Sequence, residues 1–358
     1  MFTQSIRLGR ILGIPFGVNY SWFIIFILIT LSLTTQFRHL HPDWTYAEHL
    51  TVGIATSLLF FLSVVLHELG HSVMALKYQI PVKSITLFVF GGVAQIGKEP
   101  EKPMHEFTIA IAGPLVSVAL GLFFLGVMWI ARGTMEGVSA LGQWLGNINL
   151  MLALFNFIPG FPLDGGRVLR AILAMNMEYS RATDIAARIG QGMAVLFGLL
   201  GLLFNPWLLF IALFVWIGAQ QEAAMARQKA ALWGIPVRDA MMTQFQVLSP
   251  HHTLGDAARA ILAGYQEDFP VVENGQLLGV LTGTDIIRGL AELGPQAPVA
   301  EVMRRDCVTA SPYEMVETVL LRVQHNNCPV VPVLVHGQIV GLLTPSNVGD
   351  YIFIRRAL

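Results

Sequence analysis

The chain has 358 residues, of which 54% are hydrophobic and only 13% charged, about half the charged share of a soluble globular domain. That composition excludes an ordinary soluble enzyme. The formal net charge of -1, with no lysine-rich run, excludes the basic field that draws a protein to nucleic acid.

The charges are unevenly spread: residues 1–226 hold 23 of them and the shorter segment 227–358 holds 22. A lipid-embedded first part and a water-exposed tail follow. A membrane span needs about 20 mostly apolar residues. The first charge-free stretch, between Arg10 and Arg38, exceeds that length, and its apolar core is too long for a cleaved leader. The second, between Glu48 and Glu68, is just long enough and runs into LHELGHSV. Next comes SITLFVFGGVAQIG (Ser84 to Gly97), too short to cross and too apolar for a surface loop. Its β-branched and aromatic residues around Gly91-Gly92 predict a short membrane-associated β-hairpin. The stretches from Glu106 to Arg132 and from Glu136 to Asp164 again exceed the length needed and supply a third and a fourth span. The last and longest stretch, between Arg188 and Glu222, is interrupted by Asn205-Pro206, which starts a turn and splits it into two helices.

Six spans put both termini on one side. An N-terminus inside places 12 Lys or Arg (Arg7, Arg10, Lys77, Lys83, Lys98, Lys102, Arg167, Arg170, Arg181, Arg188, Arg227, Lys229) on the cytoplasmic side, against Arg38 and Arg132 outside. The positive-inside rule therefore predicts a multi-pass cell-membrane protein with a cytoplasmic N-terminus and tail. Cys307 and Cys328, both in the tail and not in CxxC spacing, are expected to be reduced, buried thiols.

His67, Glu68 and His71 lie within one span. On a helix, residues i and i+4 share a face, so both imidazoles can reach one zinc ion, while the carboxylate at i+1 is placed to act as general base on a water at the metal. Ionisable groups within a span cost roughly 2.5–3.5 kcal/mol each on insertion scales and line functional cavities. A catalytic zinc takes three protein ligands. Asp164 is the expected third, because it ends the fourth span after a run without carboxylate or imidazole, and its depth matches that of the histidines. Pro159 and Pro162 should break the helix just before it.

HELGH in one span, with Asn-x-x-Pro and Leu-Asp-Gly in a later one, resembles the site-2 protease family of intramembrane zinc metalloproteases, over about residues 5–225. The resemblance implies that His67, His71 and Asp164 bind one Zn2+, that Glu68 activates the water, and that Asn156 contacts substrate or the transition state. GPLVS (Gly113 to Ser117) resembles the family's small-residue motif, which permits close helix approach. Asn19 stands where the family often has histidine.

Laid over itself so that Val237 falls on Val299, the tail matches without a gap: Met241 on Met303, Pro270 on Pro332, Gly279 on Gly341, Thr282 on Thr344. This is an internal duplication. Each copy predicts a short strand, a helix (Thr253 to Gly264 in the first), two apolar strands around a turn at Glu273-Asn274-Gly275, and a second helix near Asp285. GVLTGTD (Gly279 to Asp285) resembles the CBS (cystathionine β-synthase) domain. The resemblance implies that a pair of copies binds an adenine nucleotide (ATP, ADP or AMP) through Thr282 and Asp285 and supports homodimerisation. The second copy carries Asn347 at the aspartate position.

The expected architecture is thus a polytopic α-helical membrane protein of six transmembrane helices with a β-hairpin, followed by a C-terminal α/β tandem CBS domain. The boundaries fall at 1–228 for the protease domain, 229–294 for the first copy and 295–358 for the second. The expected activity is zinc-dependent cleavage of transmembrane segments of membrane-anchored regulatory proteins (regulated intramembrane proteolysis), within lipid and under nucleotide control. The alternative is a CBS-gated metal transporter or channel, which would have little use for Glu68 between two ligands.

Overall fold

The computed structural model describes residues 5–89, 91–100, 102–264, 266–323 and 328–357. It forms two units, residues 1–226 and 227–358. The first opens with strands β1 (Ser5–Ile11) and β2 (Ile14–Asn19), then helices α1 (Tyr20–Leu40) and α2 (Tyr46–Lys77). Strands β3 (Val82–Phe88) and β4 (Gly91–Ile96) precede α3 (Pro103–Ala131), α4 (Glu136–Asn156), α5 (Asp164–Ala174), α6 (Tyr179–Leu203) and α7 (Trp207–Leu232). All of these helices except α5 are long and apolar enough to cross a membrane, six candidate spans among the described residues, and the break between α6 and α7 falls at Asn205-Pro206 as predicted. Large apolar side chains such as Trp129, Ile130, Phe204 and Trp207 are more than 70% exposed. That outer surface is stable only against lipid.

The chain enters α2 through a capping box: Glu48 N donates to Thr45 Oγ1 and Thr45 N to the Glu48 carboxylate. Asn19 caps α1 by accepting from Ser21 N at 3.0 Å. The predicted hairpin is present as the antiparallel pair β3–β4. It belongs to a four-stranded sheet in the order β1-β2-β3-β4, with β2 and β3 parallel. The two N-terminal strands were hidden by the charge count, because the uncharged run after Arg10 includes Ile11 to Asn19 as well as α1.

The tail comprises α8 (Val237–Ala240), α9 (Leu254–Ala263), β5 (Phe269–Glu273), β6 (Gln276–Leu281) and α10 (Gly283–Glu292), then α11 (Val299–Val302), α12 (Val316–Val323), β7 (Val331–Val335), β8 (Gln338–Leu343) and α13 (Pro345–Ala357). The expected turn is a two-residue hairpin loop with both residues at positive φ, Asn274 (52°) and Gly275 (79°), echoed by His336 and Gly337 in the second copy. The duplication extends to the contacts. Val237 N donates to Glu314 O, and its counterpart in the second copy, Val299 N, donates to His252 O, each at 2.8 Å. Ile235, Val237 and Ala240 are therefore buried with Val316, Val331 and Leu343, while Val299 and Met303 are buried with Leu254, Phe269 and Leu281. Each copy lends its first helix to the core of the other, so sequence copies and packed halves are different segments.

The cysteine expectation is corrected. Cys307 and Cys328 form a disulfide, with Cα atoms 5.4 Å apart. They are distant in sequence, and they meet because both sit in the apolar seam where Val280, Val330 and Leu342 of the two copies pack together. Cysteine spacing carries no trace of that seam.

Candidate metal centre

α2 brings His67 and His71 onto one face, both buried. α4 ends at Asn156, and the non-helical segment 157–163, with Pro159 and Pro162, leads to Asp164, which opens α5. The helix has no side-chain cap from Leu163. The Asp164 carboxylate turns instead to the histidines, with Oδ2 3.2 Å from Nε2 of His67 and 3.2 Å from Nε2 of His71. The two Nε2 atoms are themselves 3.1 Å apart. The three groups named from the sequence thus meet at one point, as a cluster able to hold a metal ion.

The opposite ring nitrogens decide what these atoms offer. His71 Nδ1 lies 2.7 Å from the carbonyl oxygen of Ile109. A carbonyl only accepts, so Nδ1 carries the hydrogen and Nε2 presents its lone pair. His67 Nδ1 lies 2.9 Å from Ser117 Oγ. Electron-rich nitrogen and oxygen atoms facing each other in a buried space need a cation between them. Tetrahedral zinc with N and O ligands at 2.0–2.1 Å spaces its ligands about 3.3 Å apart, close to the separations found.

Glu68 faces another way. Its Oε2 accepts from Ala94 N of strand β4 at 3.1 Å, and β4 approaches so closely that a Cβ on Gly92 would lie 2.8 Å from Glu68 Cγ. Glu68 thus stands between the histidine face of α2 and an edge strand. Asn156, in the last turn of α4, bonds back to Leu152 O at 3.1 Å.

Nothing in the sequence points to Ser117, Ile109 and Gly113 as neighbours of this cluster. Ser117 and Gly113 do lie in GPLVS, which the sequence marks only as a close-packing motif, and a backbone carbonyl such as that of Ile109 leaves no sequence signal. In the tail, Thr282 caps α10, accepting from Asp285 N at 3.2 Å and donating to Asp285 Oδ2 at 2.6 Å. The buried Asp285 also takes Arg304 Nε at 2.5 Å and an Arg288 Nη at 2.7 Å.

The family model of peptidase family M50 matches residues 55–134 and 130–197. A Synechocystis protein carrying a provisional zinc metalloprotease name is 36% identical, over 97% of this chain and 95% of its own. The chain belongs to peptidase family M50, the site-2 proteases. A zinc metalloprotease of Methanocaldococcus jannaschii is 37% identical to this family member over 78% of each chain. The solved site-2 protease from the same organism is 41% identical, covering 62% of this chain and 95% of that one, with a TM-score of 0.44. The CBS domain model matches residues 237–292 and 299–353. This M50 protein is therefore a membrane zinc metalloprotease with a tandem CBS tail, and the transporter alternative is not favoured.

Proposed function

We propose that this protein hydrolyses a peptide bond within a transmembrane segment of a membrane-anchored regulatory protein, near the cytoplasmic face. His67, His71 and Asp164 would hold the zinc ion, and the convergence of their three acceptor atoms on one buried point is the observation that carries the reading. When bound, zinc supplies Lewis acidity toward a carbonyl and lowers the pKa of water. Glu68 takes the proton from the attacking water and returns it to the leaving amine. Its bond from Ala94 N holds it in place beside β4.

Lipid supplies no partners for an unwound substrate backbone, so the scissile segment needs them from the protein. β4 is the last strand of its sheet, and strand addition along its free edge would satisfy the substrate backbone beside Glu68. The hairpin would then lie at membrane depth, and Asn156 would meet the substrate from the end of α4. The positive-inside asymmetry supports a cytoplasmic N-terminus and tail.

The tail would bind ATP, ADP or AMP through Thr282 and Asp285, support a homodimer, and alter substrate access. Because Asp285 is held by Arg304 and Arg288, nucleotide would have to draw one arginine away; no heat of binding on titration of the whole protein with the three nucleotides rejects this part.

The central test is Glu68→Gln. Zinc content should stay equal to wild type while cleavage of a model membrane-anchored substrate falls to background. Undiminished cleavage rejects the mechanism.

A further inference from the structure

The aspartate ligand is delivered by a helix with no cap at its start and a proline-containing loop before it, yet it meets two histidines fixed on another helix. Something must hold α5 at the right depth. Arg170, on α5, is 6% exposed. Its Nε donates to Glu106 Oε1 at 2.7 Å and its other nitrogens pair with Glu106 and, at 3.3 Å, with Glu222 of α7. Its guanidinium carbon also lies over the rings of Phe161 and Tyr179, 4.8 Å from each centroid. Phe161, fully buried, lies three residues before Asp164.

The other end of this tie explains its consequence. Glu106, Ile109, Gly113 and Ser117 follow one another along α3 about one helical turn apart, which makes them one stripe of a helix. Ile109 and Ser117 hold the two histidine rings from behind. Glu106, on the same stripe, holds α5 through Arg170. One face of one helix therefore carries the struts of all three ligands.

We propose that Arg170 is a positioning residue for the metal centre: its pairing with Glu106 and its stacking on Phe161 fix Asp164 against His67 and His71. This rests on the reading that these three residues hold zinc. Arginine suits the task because its planar fork pairs with a carboxylate while its flat face can stack on aromatic rings.

The test is zinc affinity of the full-length protein in detergent, measured by chelator competition, alongside thermal unfolding. Arg170→Met should weaken zinc binding about 10- to 100-fold, as the loss of outer-shell partners does, with Glu106→Gln acting in the same direction. Arg170→Lys, which keeps the charge but not the fork, should recover part of the loss. In an Asp164→Ala background, Arg170→Met should change zinc affinity by less than about twofold, because there is no longer a ligand to position.

A zinc Kd unmoved in Arg170→Met, or an effect that persists undiminished without Asp164, overturns the proposal. If Arg170→Met does not fold, Glu106→Gln and Arg170→Lys decide it by the same criteria. Wild-type protein that binds no stoichiometric zinc would instead reject the metal-site reading itself.

Discussion

A Cβ built on Gly113 would lie 2.2 Å from Nε2 of His71 and 2.7 Å from Nε2 of His67, well inside contact distance of both rings. Neither imidazole can retreat without losing its bond to Ile109 O or Ser117 Oγ. Gly113→Ala should therefore abolish zinc binding and cleavage together. Gly126, on the same helix, offers a control: a Cβ there meets nothing within 4 Å, and Gly126→Ala should be neutral or stabilise the helix by up to about 1 kcal/mol. Metal analysis of the purified variants with thermal unfolding checks both, and a zinc-replete Gly113→Ala would show that the rings have room the structure denies them. His67, Glu68 and His71 are legible in the sequence because one turn of helix brings them together. Ser117 and Ile109 are not, because their role exists only once α3 lies against α2.

At the N-terminus of α10 an ion cluster replaces what would elsewhere be a simple cap. Burial alone would raise the pKa of Asp285, but the hydrogen bonds and charge of Arg304, with Thr282, hold it below the ordinary carboxylate value. Because the folded pKa is the lower one, the cluster stabilises the tail above the unfolded pKa of about 3.9 and loses its effect as pH falls through the folded value. Asp285→Asn should thus lower stability at pH 7 by about 1–3 kcal/mol, the scale of a hydrogen bond to a charged group, with the deficit shrinking below about pH 4. Urea unfolding of the protein at pH 7 and pH 3, followed by a probe in the tail, reads this directly. An equal deficit at both values would show that the carboxylate charge is not what matters. The element itself was legible from GVLTGTD. Its partner Arg304 was not, because it reaches Asp285 only once the chain folds, where Arg304 pairs with Val280 across the two copies.

For the whole molecule, six spans, the split between an apolar and a charged part, and the duplication of the tail were all readable from charge spacing and self-alignment, since lipid and repetition both mark a sequence periodically. The exchange of α8 and α11 between halves and the joining of Cys307 to Cys328 were not, since both depend on which surfaces meet. The disulfide and the charge asymmetry now make opposed statements about compartment. Twelve basic residues against two argue for a cytoplasmic tail, where thiols are kept reduced, whereas a bonded pair belongs to an oxidising space. Charge asymmetry acts during insertion and fixes sidedness; a thiol pair responds afterwards to the compartment it finds itself in. The expectation is therefore a cytoplasmic tail whose two cysteines are reduced in growing cells and bond once the protein is purified in air. Cells quenched in acid, denatured and treated with a high-mass maleimide should show both thiols modified, and protein purified without reductant should show neither. A tail already unreactive in the quenched cells would place it on the oxidising side and overturn the orientation of all six spans.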